Sequence, residues 1–457
     1  MHFNSIQALI FLFIILLASA NLLGAIIGTL MSGASSYVLG RKKTIMVSQL
    51  VTLAGFLIIR FSNAILWFCI GNCLGGYSTG VNIAVMPSYI GEINQPRIRK
   101  FTGSFMSLFF TFGFSFAYLI GKFTTWKNTA SIVMTLPSLG FFLLLFCPES
   151  PTWHMMKGRK QTATSILIKL RGNTDVATHE ISKIEENLEK QKRNNLHSNN
   201  SSYMKTQLKI LTKGTFLRPC SVLIIMFAIN WQWTGMPLIT FYAVDIVKQF
   251  QVPLDPFWLA PGIGCYQFLI TLIGVPISSI IPRRQYYIGS AVILFAGAAI
   301  LGATIHLRKY ELFLQILEDY PELKWFPIVG LILYLLGYEL GYITVCYMLL
   351  GELLPSNARG IGGSIVVLSN NISFFIAVKT ANALQSVIGV DGIFFMFSGV
   401  AIFAIIFAYF CIPETFGKSL EEVEEHYRRL CYRKEFEHVR TSNHINLSYM
   451  NDEEKIQ

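Results

Sequence analysis

Gly351-Glu352-Leu353-Leu354-Pro355-Ser356-Asn357-Ala358-Arg359-Gly360 decides the fold when it is set beside Glu92-Ile93-Asn94-Gln95-Pro96-Arg97-Ile98-Arg99. Each stretch closes a long apolar run with a glutamate, then a proline, then an arginine. A second signal recurs in the same way: Gly40-Arg41-Lys42-Lys43 follows the first apolar run and Pro282-Arg283-Arg284 follows the seventh. Short charged signals at matching places in two halves are the mark of a membrane protein made of two repeated helix bundles, an architecture of transporters. A glutamate at one helix end and arginines on a neighbouring loop can pair at one face of such a bundle.

The surroundings of these motifs agree. Of 457 residues 53% are hydrophobic and only 14% are charged, with 36 phenylalanines. That length could hold about three soluble domains, but such surfaces need charge, whereas lipid is an apolar solvent. Apolar runs long enough to cross a bilayer core of about 30 Å recur at 8–36, 44–61, 64–90, 103–121, 129–147, 219–245, 259–281, 286–305, 326–353, 362–386 and 392–412. The expectation is an all-α polytopic membrane protein with eleven spans, five before a polar insert and six after it. Its parts are a first transmembrane bundle (1–147), an inter-bundle loop with short helices (148–216), a second bundle (217–412) and a tail (413–457).

The formal charge of +11 could suggest a nucleic-acid partner. The basic residues instead cluster between apolar runs: Arg41-Lys42-Lys43, Arg97 to Lys100, the insert 152–216, Arg283-Arg284, Arg359 and the tail after Pro413 fall on one side of alternating helices. Arg308 and Lys309 are exceptions. The positive-inside rule makes that side cytoplasmic, so the tail lies inside and eleven spans put the N-terminus outside. Within the insert, Ile181 to Glu186 and the residues just after them suggest an amphipathic surface helix, and Asn194–Ser202 a flexible linker. Asn199 and Asn200 begin N-x-S patterns that a cytoplasmic loop never presents for glycosylation. Ala18-Ser19-Ala20 looks like a signal-peptidase site, but no Lys or Arg precedes it and apolar sequence runs on to about Met31. The eight cysteines show no disulfide or metal-ligand spacing and read as small hydrophobes.

The chain resembles the sugar porter family of the major facilitator superfamily from about residue 20 to 424. The resemblance rests on Pro148-Glu149-Ser150-Pro151-Thr152-Trp153, on Pro413-Glu414-Thr415-Phe416-Gly417-Lys418-Ser419-Leu420-Glu421-Glu422 and on Pro87-Ser88-Tyr89-Ile90-Gly91-Glu92. Within the family it is most like insect facilitated trehalose transporters, from Gly351 to Pro355 and Val378-Lys379-Thr380. The resemblance implies a major facilitator fold of two bundles with twelve spans. The Gly-Arg-Lys motif follows the family's second helix, so the family's first helix is expected to be missing or truncated here.

Glu339 is the carboxylate set well inside a span, a place where polar groups are costly unless they face a cavity. The resemblance adds Gln232, in Trp231-Gln232-Trp233-Thr234-Gly235, with Gln267 and Asn370 as sugar ligands beside Glu339, while Trp231 and Tyr347 line the path. Thr234 and Gly235 suit a helix broken near the midplane. The repeated charges are expected to form an inner gate of Arg41, Glu92, Arg99, Glu149, Arg283, Arg284, Glu352, Arg359 and Glu414, whose ion pairs hold while that face is closed and separate when it opens. Departures from the family pattern leave the sugar open. Trp231 replaces a glutamine, Pro237 an asparagine, Thr344 and Cys346 two prolines, Tyr347 a tryptophan, Ser107 a glutamine and Tyr37 an aspartate. The expected activity is facilitative uptake of a hexose or trehalose across the plasma membrane by alternating access, without cofactor. A non-transporting sugar sensor or degenerate paralogue is the alternative. An enzyme is not expected: no Ser-His-Asp arrangement, H-E-x-x-H or phosphate loop is found. His154, His306, Glu425 and His426 read as solvated loop or tail residues.

Overall fold

The computed structural model describes residues 2–196, 214–236, 256–354, 359–418 and 420–431, and among these there is no strand. Nine of the described helices are long and apolar enough to cross a membrane, matching the second and the fourth to eleventh expected runs. The first and third runs form α1 (His2–Val38) and α3 (Ile65–Ile93), of 37 and 29 residues. The rest of the first half is α2 (Arg41–Phe61), α4 (Pro96–Phe123) and the pair α5 (Trp126–Val133) and α6 (Thr135–Phe146). The insert holds α7 (Pro151–Met156), α8 (Lys160–Arg171) and α9 (Thr174–Leu196). Helix α9 contains the expected amphipathic stretch. It continues through Asn194 and Asn195, so the first residues of the expected linker are helical and 197–202 lie outside the described residues.

In the second half, α10 (Gly214–Ile224) runs into a π-helical turn (Ile225–Trp231) and a short 3-10 turn (Gln232–Thr234). Then come α11 (Pro256–Ser278), α12 (Arg283–Leu307) and α13 (Glu311–Asp319). Helix α14 (Phe326–Gly337) joins α15 (Ile343–Leu353) through a π-helical segment, Tyr338–Tyr342. The last two expected spans are the limbs of α16 (Arg359–Cys411), bent at Gly389, whose φ of 72° is open to glycine without strain. Helix α17 (Leu420–Cys431) covers the start of the tail and buries Val423 and Tyr427 on the core of the second half.

Lipid tails are as apolar as leucine, so helices in a bilayer associate by close packing rather than by hydrophobic exclusion. Gly24 and Gly28 on α1 face Gly76 and Gly80 on α3. A methyl group at Gly76 would lie 1.8 Å from the Asn21 carbonyl oxygen, and one at Gly24 2.0 Å from that of Cys73. Only hydrogen fits, and the two backbones touch. The same solvent explains why large apolar side chains such as Phe61, Phe123, Phe146 and Phe410 stand exposed on the surface.

Candidate functional site

A cavity of about 570 Å³ lies between the halves, within the range typical of small-molecule sites. From the second half it is lined by Trp231, Gln232, Tyr338, Glu339, Tyr347 and Asn370, among others. The winding of the chain explains how these come to face it. Helix α10 loosens into a π turn and tightens into a 3-10 turn at Gln232, and Gly235 at φ 98° ends the run. Such irregular turns re-aim side chains and concentrate at functional sites. The Gln232 amide donates to the Asn370 side-chain oxygen at 2.6 Å.

Glu339 sits in the other π-helical segment and is 1% exposed. One carboxylate oxygen accepts from Gln267 Nε2 at 3.0 Å and the other from Thr271 Oγ1 at 3.2 Å. Gln267 therefore stands behind Glu339, reaching also to the Met236 sulfur at 3.6 Å, and is not part of the lining with the other five sequence-derived residues. Thr271 escaped the sequence reading, although its four-residue spacing from Gln267 puts both on one face of α11. The aromatic wall is a cluster of three: Trp231 lies 5.2 Å from Tyr347 and 5.1 Å from Phe227, each ring edge-on or tilted to the next. The helix that lost its prolines keeps its irregularity by other means. The Thr344 hydroxyl donates to the Glu339 carbonyl five residues back, at 3.3 Å, within the π-helical winding.

From the first half the cavity takes Asn21, Asn72, Thr79 and Thr111, none of which the sequence reading singled out. Asn72 and Thr79, seven residues apart, share one face of α3, which was the available signal. A second cavity of about 460 Å³ adjoins through Asn21, Asn72 and Thr79 and adds Gln49, Thr52 and Asn82.

The charged motifs assemble twice into the same arrangement. Arg41 meets Glu92 at 3.3 Å and Arg283 meets Glu352 at 3.5 Å. Each arginine also donates to a carbonyl five residues upstream, of Ser36 and of Ser278. Ser150 bonds to Glu92, and Thr415 Oγ1 donates to Glu352 at 2.6 Å. Glu149 accepts the backbone N–H of Lys42 at 2.9 Å and of Lys43 at 3.4 Å. Glu414 does the same for Arg283 at 3.0 Å and Arg284 at 3.2 Å. Glu149 and Glu414 thus satisfy the free N–H groups that open α2 and α12. Arg284 turns instead to the Tyr409 carbonyl and its ring. Each contact joins one bundle to itself or to the residues just past its last span, so among the described residues these pairs do not bridge the two bundles as the expected inner gate would. The side chains of Arg99 and Arg359 lie outside those described.

His154, expected in a solvated loop, is in α7 and is 8% exposed, with the Trp153 ring 5.1 Å away. Burial, with Arg159 and Lys43 nearby, holds its imidazole below the usual histidine range, against an upward pull from Glu149. His306, also expected in a loop, is in the last turn of α12; it bonds through Nδ1 to Asp391 at 2.8 Å, and Lys309 reaches the same oxygen at 2.7 Å. Among the described residues no group of three His, Cys, Asp or Glu could hold a metal ion.

Two bundles around a largely apolar, aromatic-walled cavity with a few converging polar groups, and with matched charge clusters at their helix ends, define a membrane transporter of the major facilitator fold. The chain belongs to the family described as sugar (and other) transporter, whose model matches residues 9–427. It is similar to the facilitated trehalose transporter Tret1 of Bombyx mori, 29% identical with 88% of this chain and 76% of that one covered. Tret1 of Apis mellifera ligustica is 27% identical, with 89% and 78% covered. Among solved structures, the proton:xylose symporter XylE bound to 6-bromo-6-deoxy-D-glucose superposes with a TM-score of 0.73, at 21% identity and 89% and 88% coverage. A partially occluded inward-open form of XylE from E. coli gives 0.68, at 18% identity and 89% coverage of each chain. The protein is a transporter and not an enzyme.

Proposed function

We propose that this chain carries a neutral sugar, a hexose or trehalose, down its gradient across the plasma membrane, with its C-terminus in the cytoplasm. The observation that carries the reading is the pair of buried polar sets on the cavity: Gln232 with Asn370, and Glu339 with Gln267 and Thr271. A sugar offers hydroxyl groups that both donate and accept, which is what carboxamides and a carboxylate can satisfy together. The apolar face of a pyranose needs a flat apolar partner, and Trp231 and Tyr347 supply it. Gln232, Asn370 and Glu339 would bind the sugar directly, and Gln267 would hold Glu339 in place.

Transport follows from the two halves rocking about this cavity, the moving bodies being residues 1–147 and 217–412 with the few residues just past each that pack on them. Within each half the arginine–glutamate pair and the capping glutamate tie helix ends into one unit. Arg41, Glu92 and Glu149 do so in the first half, and Arg283, Glu352 and Glu414 in the second. These clusters keep each body rigid while the seam between them opens. Replacing Glu339 by Gln tests the assignment: sugar uptake should fall with surface protein unchanged, and unaltered uptake would remove Glu339 from the site.

A further inference from the structure

One seam between the halves runs along α1 and the first limb of α16, and among the described residues side-chain hydrogen bonds cross it at Asn371 and at Ser364; α4 and α11 meet along another, where Ser115 Oγ donates to Cys265 Sγ at 3.5 Å. Asn371 Nδ2 donates to Thr29 Oγ1 at 3.2 Å, both residues being buried. The Thr29 hydroxyl hydrogen is already given to the Ala25 carbonyl at 2.8 Å, so Thr29 has a lone pair to offer and Asn371 supplies the proton. One turn along α1, Ser32 lies 3.3 Å from Ser364. The Ser32 hydroxyl also donates to the Thr29 carbonyl at 2.6 Å.

Position gives the first of these bonds its meaning. Asn371 follows Asn370, the acceptor for Gln232, and both line the cavity. Neighbours on a helix point about 100° apart, so one carboxamide bonds within the second half while the next bonds across to the first. Thr29 itself does not line the cavity. It sits where α1, α3 and α16 meet, its oxygen 2.9 Å from where a methyl group on Gly80 would be.

We propose that the Thr29–Asn371 hydrogen bond is a positioning contact that holds the α1–α16 seam joined and must break each time the halves part. It rests on the reading of this chain as a rocking transporter, but its test needs no sugar. Val367 is 1% exposed and lies between Ser364 and Asn371 on the same helix face. In Val367→Cys, labelling by a membrane-impermeant maleimide in permeabilised membranes reports how often the seam opens, once labelling of the parent's own cysteines is subtracted.

Adding Thr29→Val, which keeps the shape and loses the acceptor, should speed labelling about three- to five-fold, the worth of one such bond in a bilayer. Thr29→Ser should restore the slow rate, which a change in packing alone would not do. Where Thr29→Val does not reach the membrane, Asn371→Ala removes the same bond from the other side and carries the same expectation. Labelling at the parent rate in a variant that does reach the membrane overturns the proposal. Absence of sugar uptake by the parent protein, with labelling as expected in the variants, would instead count against the sugar reading alone.

Discussion

The Gln232 amide and the Asn370 side-chain oxygen meet at 2.6 Å on the wall of the central cavity, joining the broken end of α10 to the first limb of α16. Each can satisfy the other without ligand, so an incoming sugar has to share or replace this bond. Asn370→Ala should therefore raise the KM for uptake about five- to ten-fold, the cost of an unsatisfied buried amide plus a lost ligand. Concentration-dependent uptake at matched surface protein checks this, with the maximal rate changing less than the KM.

Glu339 holds two neutral donors, Gln267 and Thr271, one on each oxygen. Glu339→Gln keeps the shape but places an N–H₂ against one of them. Uptake should fall at least about ten-fold, a loss of about 1.4 kcal/mol or more, at unchanged surface level. Thr271→Val should show a smaller loss in the same direction. Uptake and surface biotinylation measured together separate this from misfolding.

The matched charge clusters differ in burial, and that difference predicts unequal sensitivity. Arg283 is the more enclosed arginine, with a side chain 2% exposed against 14% for Arg41. Arg283→Ala removes a buried guanidinium from Glu352, whose side chain is 20% exposed, at a cost of about 1–3 kcal/mol. Arg41→Ala should lose clearly less. Thermal unfolding of the detergent-solubilised variants, followed by size-exclusion profile, should rank them in that order.

Close packing makes a sharper demand at Gly76. Any Cβ there meets the α1 backbone, so Gly76→Val should force α1 and α3 apart and keep the protein from the cell surface. Gly113→Ala, where a methyl group meets nothing within 4 Å, should be tolerated. Surface expression of the two variants is the comparison.

His154 gives a pH dependence with a definite sign. Its imidazole is held below the usual range when folded, so the unfolded chain binds the proton more readily. The contribution to stability is complete above the ordinary histidine pKa of about 6.5 and is lost as pH falls through the lower folded value. Unfolding temperature should drop on going from pH 7.5 to 5.5, and His154→Gln should flatten that drop. An equal drop in the variant would assign it to other groups.

Much of this was legible in the sequence because membranes punish polar residues. Glu339 stood out as a carboxylate in an apolar run, the family resemblance supplied Gln232 and Asn370, and the structure gathers all three at one cavity. Asn21, Asn72 and Thr79 are no less polar. They went unmarked because a face of α1 or α3 becomes a cavity wall only when the other half packs opposite. The repeat of acid, proline and arginine was plain in the chain. That Glu149 and Glu414 accept from backbone N–H groups was not, since the acceptor is chosen by how each loop turns into the next helix. His154 was misjudged for a related reason: it reads as a loop residue, but the short helix α7 turns it inward.

The central claim is that the cavity carries sugar across the membrane, and counterflow tests it most directly. Purified protein is reconstituted in liposomes preloaded with unlabelled glucose or trehalose, and entry of the same labelled sugar is followed. The account predicts a saturable overshoot of label for at least one of the two, abolished by Asn370→Ala together with Glu339→Gln. Sugar binding without any counterflow, from protein shown to be folded and inserted, would contradict it and favour a sensor.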